Sequence, residues 1–208
     1  MTIESPRDLP SPSRLQTLLQ SLAMLAEILS FSTGEPVYTF SKKWSARRSL
    51  GVINNGQGDD LVFVFDSQEC FVKGWVHDSA ASTSVQVRKQ LHHLIPDKYL
   101  PYLSERTLGC DEATFFAWHG GIGWQSTTAQ LADDVDDGSR YLLSFLKLEP
   151  NEFQQWAEEN YETNVSLESV SMIYQFHPLD RATVQSLNAN ATFGSVRQSA
   201  EKIGYPVV

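Results

Sequence analysis

The sequence has few cysteines, few basic residues and no long apolar run, and each shortage excludes a class of protein. Only two of its 208 residues are cysteines, Cys70 and Cys110, too few for the disulfide framework of a small secreted domain. Both are expected to be free, buried thiols. The 16 lysines and arginines are outnumbered by 25 aspartates and glutamates, giving a formal net charge of −9. Such a chain repels the phosphate backbone of nucleic acids and attracts a basic protein surface.

The longest apolar stretch, residues 15–29, is interrupted by Gln16, Gln20 and Glu27. This interruption makes the stretch too polar to span a bilayer. The first residues include Glu4 and Asp8 and lack the cationic start of a secretory signal. A cytoplasmic protein with no membrane partner is therefore expected.

Familiar catalytic and ligand-binding motifs are also missing. No phosphate-binding loop, dinucleotide fingerprint or nucleophile elbow occurs, so no cofactor is expected. The acidic loop "LADDVDDGS" places Asp133, Asp137 and Gly138 in a calcium-loop register, but Ser144 stands where a bidentate Glu is needed. We interpret it as a solvated loop that caps the next helix through Asp137 or Ser139. The histidines and cysteines lack the close spacing of zinc ligands, and no metal is expected.

Hydrophobic patterning predicts an α+β fold. Residues 1–13 are expected to be a flexible leader and residues 14–208 a single domain. Leucines at three- and four-residue spacing predict an amphipathic helix over residues 14–31. "LVFVFD" and "CFVKGWVHD" predict an antiparallel hairpin, and "ATFFAWHGGIGWQ" predicts a second. The C-terminal part reads as helices around one late strand, "SVSMIYQFHP". A predominantly antiparallel sheet flanked by helices follows.

His77 and Asp78 stand where a hydrophobic run gives way to small hydroxyl residues, in "FVKGWVHDSAAST". Adjacent residues of a strand point to opposite faces, so an imidazole–carboxylate pair within one strand has poor geometry. If the strand ends at Val76, both side chains can turn into the same cleft. Two interpretations stay open: local hydrogen bonds, with Asp78 capping the turn, or contact with a ligand.

This segment resembles a "KGFDHES-x-MSP"-like segment in a family of uncharacterised bacterial proteins. The resemblance continues in "ATFFAWHGGIGWQ", "DDGSRYLLSFL" and "EKIGYP", over most of residues 60–206. It departs at Trp75 (Phe in the family), Val76 (an acidic residue), Asp78 (Glu) and Ala80–Ala81 (Glu-Met). The family is similar in style to small proteins found beside polymorphic-toxin genes, so the resemblance implies an architecture and an immunity-type role rather than an activity. The matching positions are Lys73, Gly74, His77, Trp118, Trp124, Asp137, Gly138 and Ser139.

The missing catalytic templates, the negative charge and the aromatic residues near polar strand ends favour a non-enzymatic protein-binding module with a basic partner. Tryptophan and tyrosine commonly anchor such interfaces. The alternative is a hydrolase-like enzyme that uses His77 as base with Asp78 or Asp111. A third hypothesis is self-association through the leucines of residues 15–29. If the two hairpins are neighbours, one binding surface is expected from Trp75, His77, Asp78, Trp118, His119 and Trp124.

Overall fold

A computed structural model of the chain describes residues 3–31, 36–131 and 135–208. In this part of the chain six strands form one sheet, and each strand lies beside its neighbours in sequence. The last three strand pairs are antiparallel, so the predicted α+β class is confirmed. The strands are Tyr38–Ser41 (β1), Arg48–Asn54 (β2), Asp60–Asp66 (β3), Glu69–Trp75 (β4), Phe115–His119 (β5) and Trp124–Ser126 (β6).

The described residues also form nine α-helices. The first begins at Pro12, since proline is tolerated in the first turn of a helix, and it ends at Leu29, two residues before the predicted end. No helix in the described ranges combines the length and apolar composition needed to cross a membrane. The helices are Pro12–Leu29 (α1), Ala80–Thr83 (α2), Val85–His93 (α3), Leu100–Leu103 (α4), Ser139–Leu143 (α5), Pro150–Tyr161 (α6), Leu167–Tyr174 (α7), Arg181–Leu187 (α8) and Phe193–Ile203 (α9).

The chain divides into two compact units, where the sequence predicts one domain. The first, called the sheet unit, combines Met1–Pro12 with Val52–Leu146. The second, called the helical unit, combines Ser13–Gly51 with Lys147–Val208. The helical unit is therefore discontinuous in sequence.

In the helical unit, most leucines of α1 are core residues, and only Leu18 is half-buried. Leu15, Leu19, Leu22 and Leu25 are fully buried, so they are not available for the self-association hypothesised from the sequence. The helix is tied to the end of the chain by a hydrogen bond of 2.9 Å from Gln20 Nε2 to the carbonyl of Ile203.

The late strand expected at residues 169–178 is wrong, because α7 occupies much of this stretch. Ser166 accepts a hydrogen bond from the Ser169 N–H and so caps the helix. Val170 and Ile173 are both buried at the three-residue spacing of a helix face. The β-branched residues favour a strand locally, and the cap together with burial on one face outweighs that preference.

In the sheet unit, the first residues are packed rather than free. Ile3 and Leu9 are buried, and Pro6–Asp8 form one turn of 3-10 helix. Trp124 Nε1 donates a hydrogen bond of 2.8 Å to the carbonyl of Pro10. Residues 3–12 thus differ from the flexible leader expected from the sequence.

Both hairpins predicted from the sequence are present. In the first, Asp66 pairs with Glu69 and Asp60 with Trp75. In the second, His119 pairs with Trp124. Cys70 and Cys110 are free and buried, as expected. Strand β4 ends at Trp75, and the chain that leaves it forms the site described next.

Candidate functional site

A cleft of about 260 Å³ lies beside the segment that follows β4. Its walls come from the β2–β3 turn, from the end of β4 with the turn after it, and from the start of α5, all within the sheet unit. The residues that line it are Gln57, Asp59, Val76, His77, Asp78, Ser79, Asp136, Gly138 and Tyr141.

Asp59 is placed by the turn between β2 and β3. Asn55 Oδ1 accepts hydrogen bonds from the backbone N–H groups of Gln57 and Asp59, which closes the turn. Asn55 Nδ2 donates to Asp59 Oδ2 at 2.7 Å. The Asp59 side chain is only 3 % exposed, and a buried carboxylate needs such donors to remain charged.

The His77 imidazole lies between two carboxylates. Its Nδ1 is 2.6 Å from Asp59 Oδ1, and its Nε2 is 3.1 Å from Asp78 Oδ2. The His77 backbone N–H also donates to Asp59 Oδ1 at 2.9 Å. Asp59 is buried, whereas the His77 side chain is 45 % exposed and that of Asp78 is 87 % exposed. The buried Asp59 carboxylate therefore fixes one side of the ring, and the exposed Asp78 carboxylate contacts the other side.

This arrangement changes the proton affinity of both partners. The hydrogen bond to Asp59 raises the pKa of His77 above its ordinary 6.5; desolvation opposes this effect but is smaller, and the charge of Asp78 adds to the rise. Burial alone would raise the pKa of Asp59, but the His77 N–H, the imidazole and the Asn55 amide together lower it below its ordinary 3.8. The pair thus favours an ionised Asp59 and shifts His77 towards its protonated form.

The opposite wall is formed where residues 135–139 meet the chain leaving β4. The Asp136 carbonyl accepts a hydrogen bond of 3.1 Å from the Ala81 N–H. Asp136 Oδ1 accepts from the Gly138 N–H at 2.9 Å. Gly138 has a φ of +74° and lies directly against Val76. The predicted cap of α5 through Asp137 or Ser139 is wrong, because Gly138 holds the N-cap position and no side chain caps the helix. Asp137 Oδ1 instead accepts from the Ser139 N–H at 2.9 Å within the preceding turn, and Asp137 is buried rather than solvated. The calcium-loop position Asp133 lies outside the described residues.

The hydroxyl groups near His77 donate hydrogen bonds to backbone carbonyls. Ser79 Oγ donates to the carbonyl of Val76 at 2.9 Å, and Ser82 Oγ donates to the carbonyl of His77 at 2.6 Å. Among the described residues, no hydroxyl hydrogen-bonds to the His77 imidazole. A serine nucleophile activated by this histidine is therefore not assembled here.

The other predicted binding residues lie elsewhere on the strands. Trp75 is half-buried at the end of β4. Trp118 is buried and donates from Nε1 to Gln125 Oε1. His119 and Trp124 face each other with their ring centroids 5.4 Å apart.

Strand register separates these residues from the cleft. His119 pairs with Cys70, seven residues before His77, a distance of roughly 20 Å along an extended chain. Trp118 and His119 also point to opposite faces of β5, since they are adjacent in a strand. The single surface expected from the sequence is therefore corrected: His77 and Asp78 share one end of the strands, and His119 and Trp124 lie at the other. A binding role for each stays a prediction.

Comparison of the chain with protein-family models, with curated proteins and with solved structures finds no match. Within residues 3–31, 36–131 and 135–208, no group of three or more His, Cys, Asp or Glu side chains is arranged to hold a metal ion. Asp59 orients the ring, while Asp78 and Asp136 are exposed to the cleft.

Replacing Asp59 by asparagine is expected to lower the pKa of His77. Asparagine retains one oxygen that can accept both hydrogen bonds from His77, but it loses the bond from Asn55 Nδ2 and carries no charge to stabilise the imidazolium. The matched variant Asp78→Asn should lower the pKa less, because it removes only the weaker, solvent-exposed partner. Titration of the His77 Hε1 signal by NMR measures both shifts. A larger pKa shift in Asp78→Asn than in Asp59→Asn would contradict the conclusion that Asp59 is the stronger partner of His77.

The same pair makes a pH-dependent contribution to folding. The pKa of His77 is raised in the folded state, so its contribution is complete below about 6.5 and is lost as pH rises through the raised value. The pKa of Asp59 is lowered, so its contribution is lost as pH falls through a value below 3.8. The pair stabilises the fold between these two limits.

Proposed function

We propose that this chain is a non-enzymatic protein-binding module whose cleft accepts a positively charged side chain of a basic partner. One observation carries the proposal: three carboxylates, Asp59, Asp78 and Asp136, line a cleft of about 260 Å³ that no lysine or arginine among the described residues lines. A lysine or arginine entering it would meet charges of opposite sign in a partly enclosed space.

The three carboxylates of the cleft differ in how readily they can contact a ligand. Asp59 is occupied by His77 and Asn55, so it acts on a ligand through its field and through the ring it orients. Asp78 is mostly exposed. Asp136 is also exposed, and its carboxylate accepts a hydrogen bond from the Gly138 N–H. These two side chains are the ones that can contact a cationic ligand directly.

The composition of the chain supports the same partner. A net charge of −9 steers basic proteins towards the molecule and repels acidic ones. An immunity-type role is the form of this function that the resemblance implies. The proposal includes a cytoplasmic location, because two free, buried cysteines suit a compartment in which thiols stay reduced.

A Gly-Arg repeat peptide tests the cleft directly. We expect the wild-type chain to bind this peptide, and to bind much more weakly a control peptide in which citrulline, the neutral isostere, replaces each arginine. The double variant Asp78→Asn/Asp136→Asn should weaken binding of the arginine peptide by about tenfold, or about 1.4 kcal/mol. NMR shift perturbation gives both the affinity and the residues affected.

Asp97→Asn is the control for net charge, because Asp97 is exposed and does not line the cleft. It should leave the affinity within about twofold. Equal binding of the citrulline peptide, or equal losses in the Asp97 and the double variants, would refute the proposed site.

Acid–base catalysis is the second candidate, favoured by the contact between Asp59 and His77 Nδ1. A buried carboxylate in this position fixes the ring tautomer and orients Nε2, as in known general bases. Because no hydroxyl is placed as nucleophile, such an enzyme would activate water. A screen of ester, amide and phosphoester substrates decides: hydrolysis by the wild-type chain that is lost in His77→Ala would favour catalysis over binding.

A further inference from the structure

The contact between His77 and Asp78 occupies the place where a cationic ligand would bind. Nε2 of the ring lies 3.1 Å from Asp78 Oδ2. When His77 is protonated, its imidazolium ring is a cation, and the Nε2–H of this ring pairs with the Asp78 carboxylate. A lysine or arginine that enters the cleft therefore competes with this N–H for the same carboxylate.

Four titratable groups line the cleft with His77, and they come from every wall. Asp59 belongs to the β2–β3 turn, Asp78 to the turn after β4, Asp136 to the loop before α5, and Tyr141 to α5 itself. The Tyr141 hydroxyl accepts a hydrogen bond from Asn55 Nδ2 at 3.1 Å. His77 is the lining residue whose charge changes in the neutral range.

We infer that the protonated His77 ring releases its proton when the cationic group of the ligand binds in its place. This inference rests on the proposed function. On binding, the Nε2–H bond of the imidazolium breaks and the proton passes to solvent. The ligand cation takes its place beside Asp78. The neutral ring keeps its Nδ1–H on Asp59, so its orientation is unchanged. One positive charge leaves the cleft as another enters.

The sign of the pH dependence follows from this exchange. Below the pKa of His77, each unit of pH should raise the affinity by up to about tenfold, because one proton must be released for each ligand bound. Above it, the affinity should level off. Because the pKa of the free ring is raised, this transition should lie above 6.5. A simple carboxylate site would show no such transition there.

The test uses the Gly-Arg repeat peptide with the full chain. Affinity is measured by NMR from about pH 5.5 to about pH 8.5, and the pKa of His77 is measured free and with saturating peptide. We expect a rise of at least fivefold in affinity across this range and a lower pKa for His77 in the complex. His77→Gln retains a side-chain donor for Asp59 but cannot titrate, and it should bind the peptide with an affinity that does not vary with pH.

The outcomes separate the two proposals. Binding whose affinity is independent of pH, together with an unchanged His77 pKa in the complex, overturns the proton exchange and leaves the cationic site standing. A His77→Gln chain that keeps the full pH dependence also overturns the exchange. Absence of peptide binding at every pH overturns the proposed function and the exchange together.

Discussion

An alanine at position 74 should lower the free energy of unfolding by about 3 kcal/mol, since overpacking of a filled core typically costs about 1–3 kcal/mol. Gly74 lies in β4, and a Cβ placed there would be 2.0 Å from Phe115 Cε1. The Phe115 ring is fully buried, so it can yield only by displacing its own neighbours. We place the effect at the upper end of the range because the new methyl group would meet three atoms, Cδ1, Cε1 and Cζ, of one rigid ring.

Urea unfolding followed by circular dichroism measures this loss. Phe115→Leu provides the internal control, since it removes the ring atoms that the new methyl group would strike. In that background, Gly74→Ala should cost much less than in the wild-type chain, which a double-mutant cycle quantifies. Equal costs in the two backgrounds would show that Phe115 is not what excludes a side chain at position 74.

Gly138→Ala is the second substitution with a large expected effect, a loss of about 2–4 kcal/mol. A left-handed backbone costs a residue with a Cβ about 1–2 kcal/mol, and Gly138 has a φ of +74°. The Cβ would also lie 2.5 Å from Val76 Cγ2. Val76 is buried and precedes His77, so the strain would act directly on the wall of the cleft.

Gly56→Ala separates the two causes. Gly56 has the same φ of +74°, but no atom lies within 4 Å of its Cβ position. Gly56→Ala should therefore lower the free energy of unfolding only through the cost of the left-handed backbone, by about 1 kcal/mol. The difference between the two variants in the free energy of unfolding measures the contact with Val76. If the free energy of unfolding falls by the same amount in both variants, packing against Val76 contributes nothing to the loss in Gly138→Ala.

Much of the fold could be predicted from the sequence because its hairpins are local. Two apolar runs joined by a short polar turn fix an antiparallel pair with few alternatives. The strand within "CFVKGWVHD" ends at Trp75, one residue before the end at Val76 considered from the sequence. Local pattern failed at residues 167–174, where a cap and a buried helix face outweigh β-branched composition. It failed as well at residues 3–12, whose burial depends on Trp124, far away in sequence.

The site could be predicted only in part. His77 and Asp78 were found because they break a hydrophobic run, and the turn after Trp75 does bring their side chains together. Asp59 was missed, although hairpin register contains the signal: Asp60 pairs with Trp75, so Asp59 lies next to the chain that leaves β4. Asp136 and Tyr141 give no local signal, because their place in the cleft depends on contacts with residues more than 50 positions earlier.

The discontinuity of the helical unit has a consequence for synthesis on the ribosome. Ser21 of α1 donates to the carbonyl of Ile173, and Asn188 Nδ2 donates to that of Ile28, across 152 and 160 residues of sequence. The leucine-rich helix thus emerges more than 150 residues before these partners, and exposed apolar surface of this kind promotes aggregation. Nascent chains should therefore depend on chaperones until α7 and α8 have also emerged.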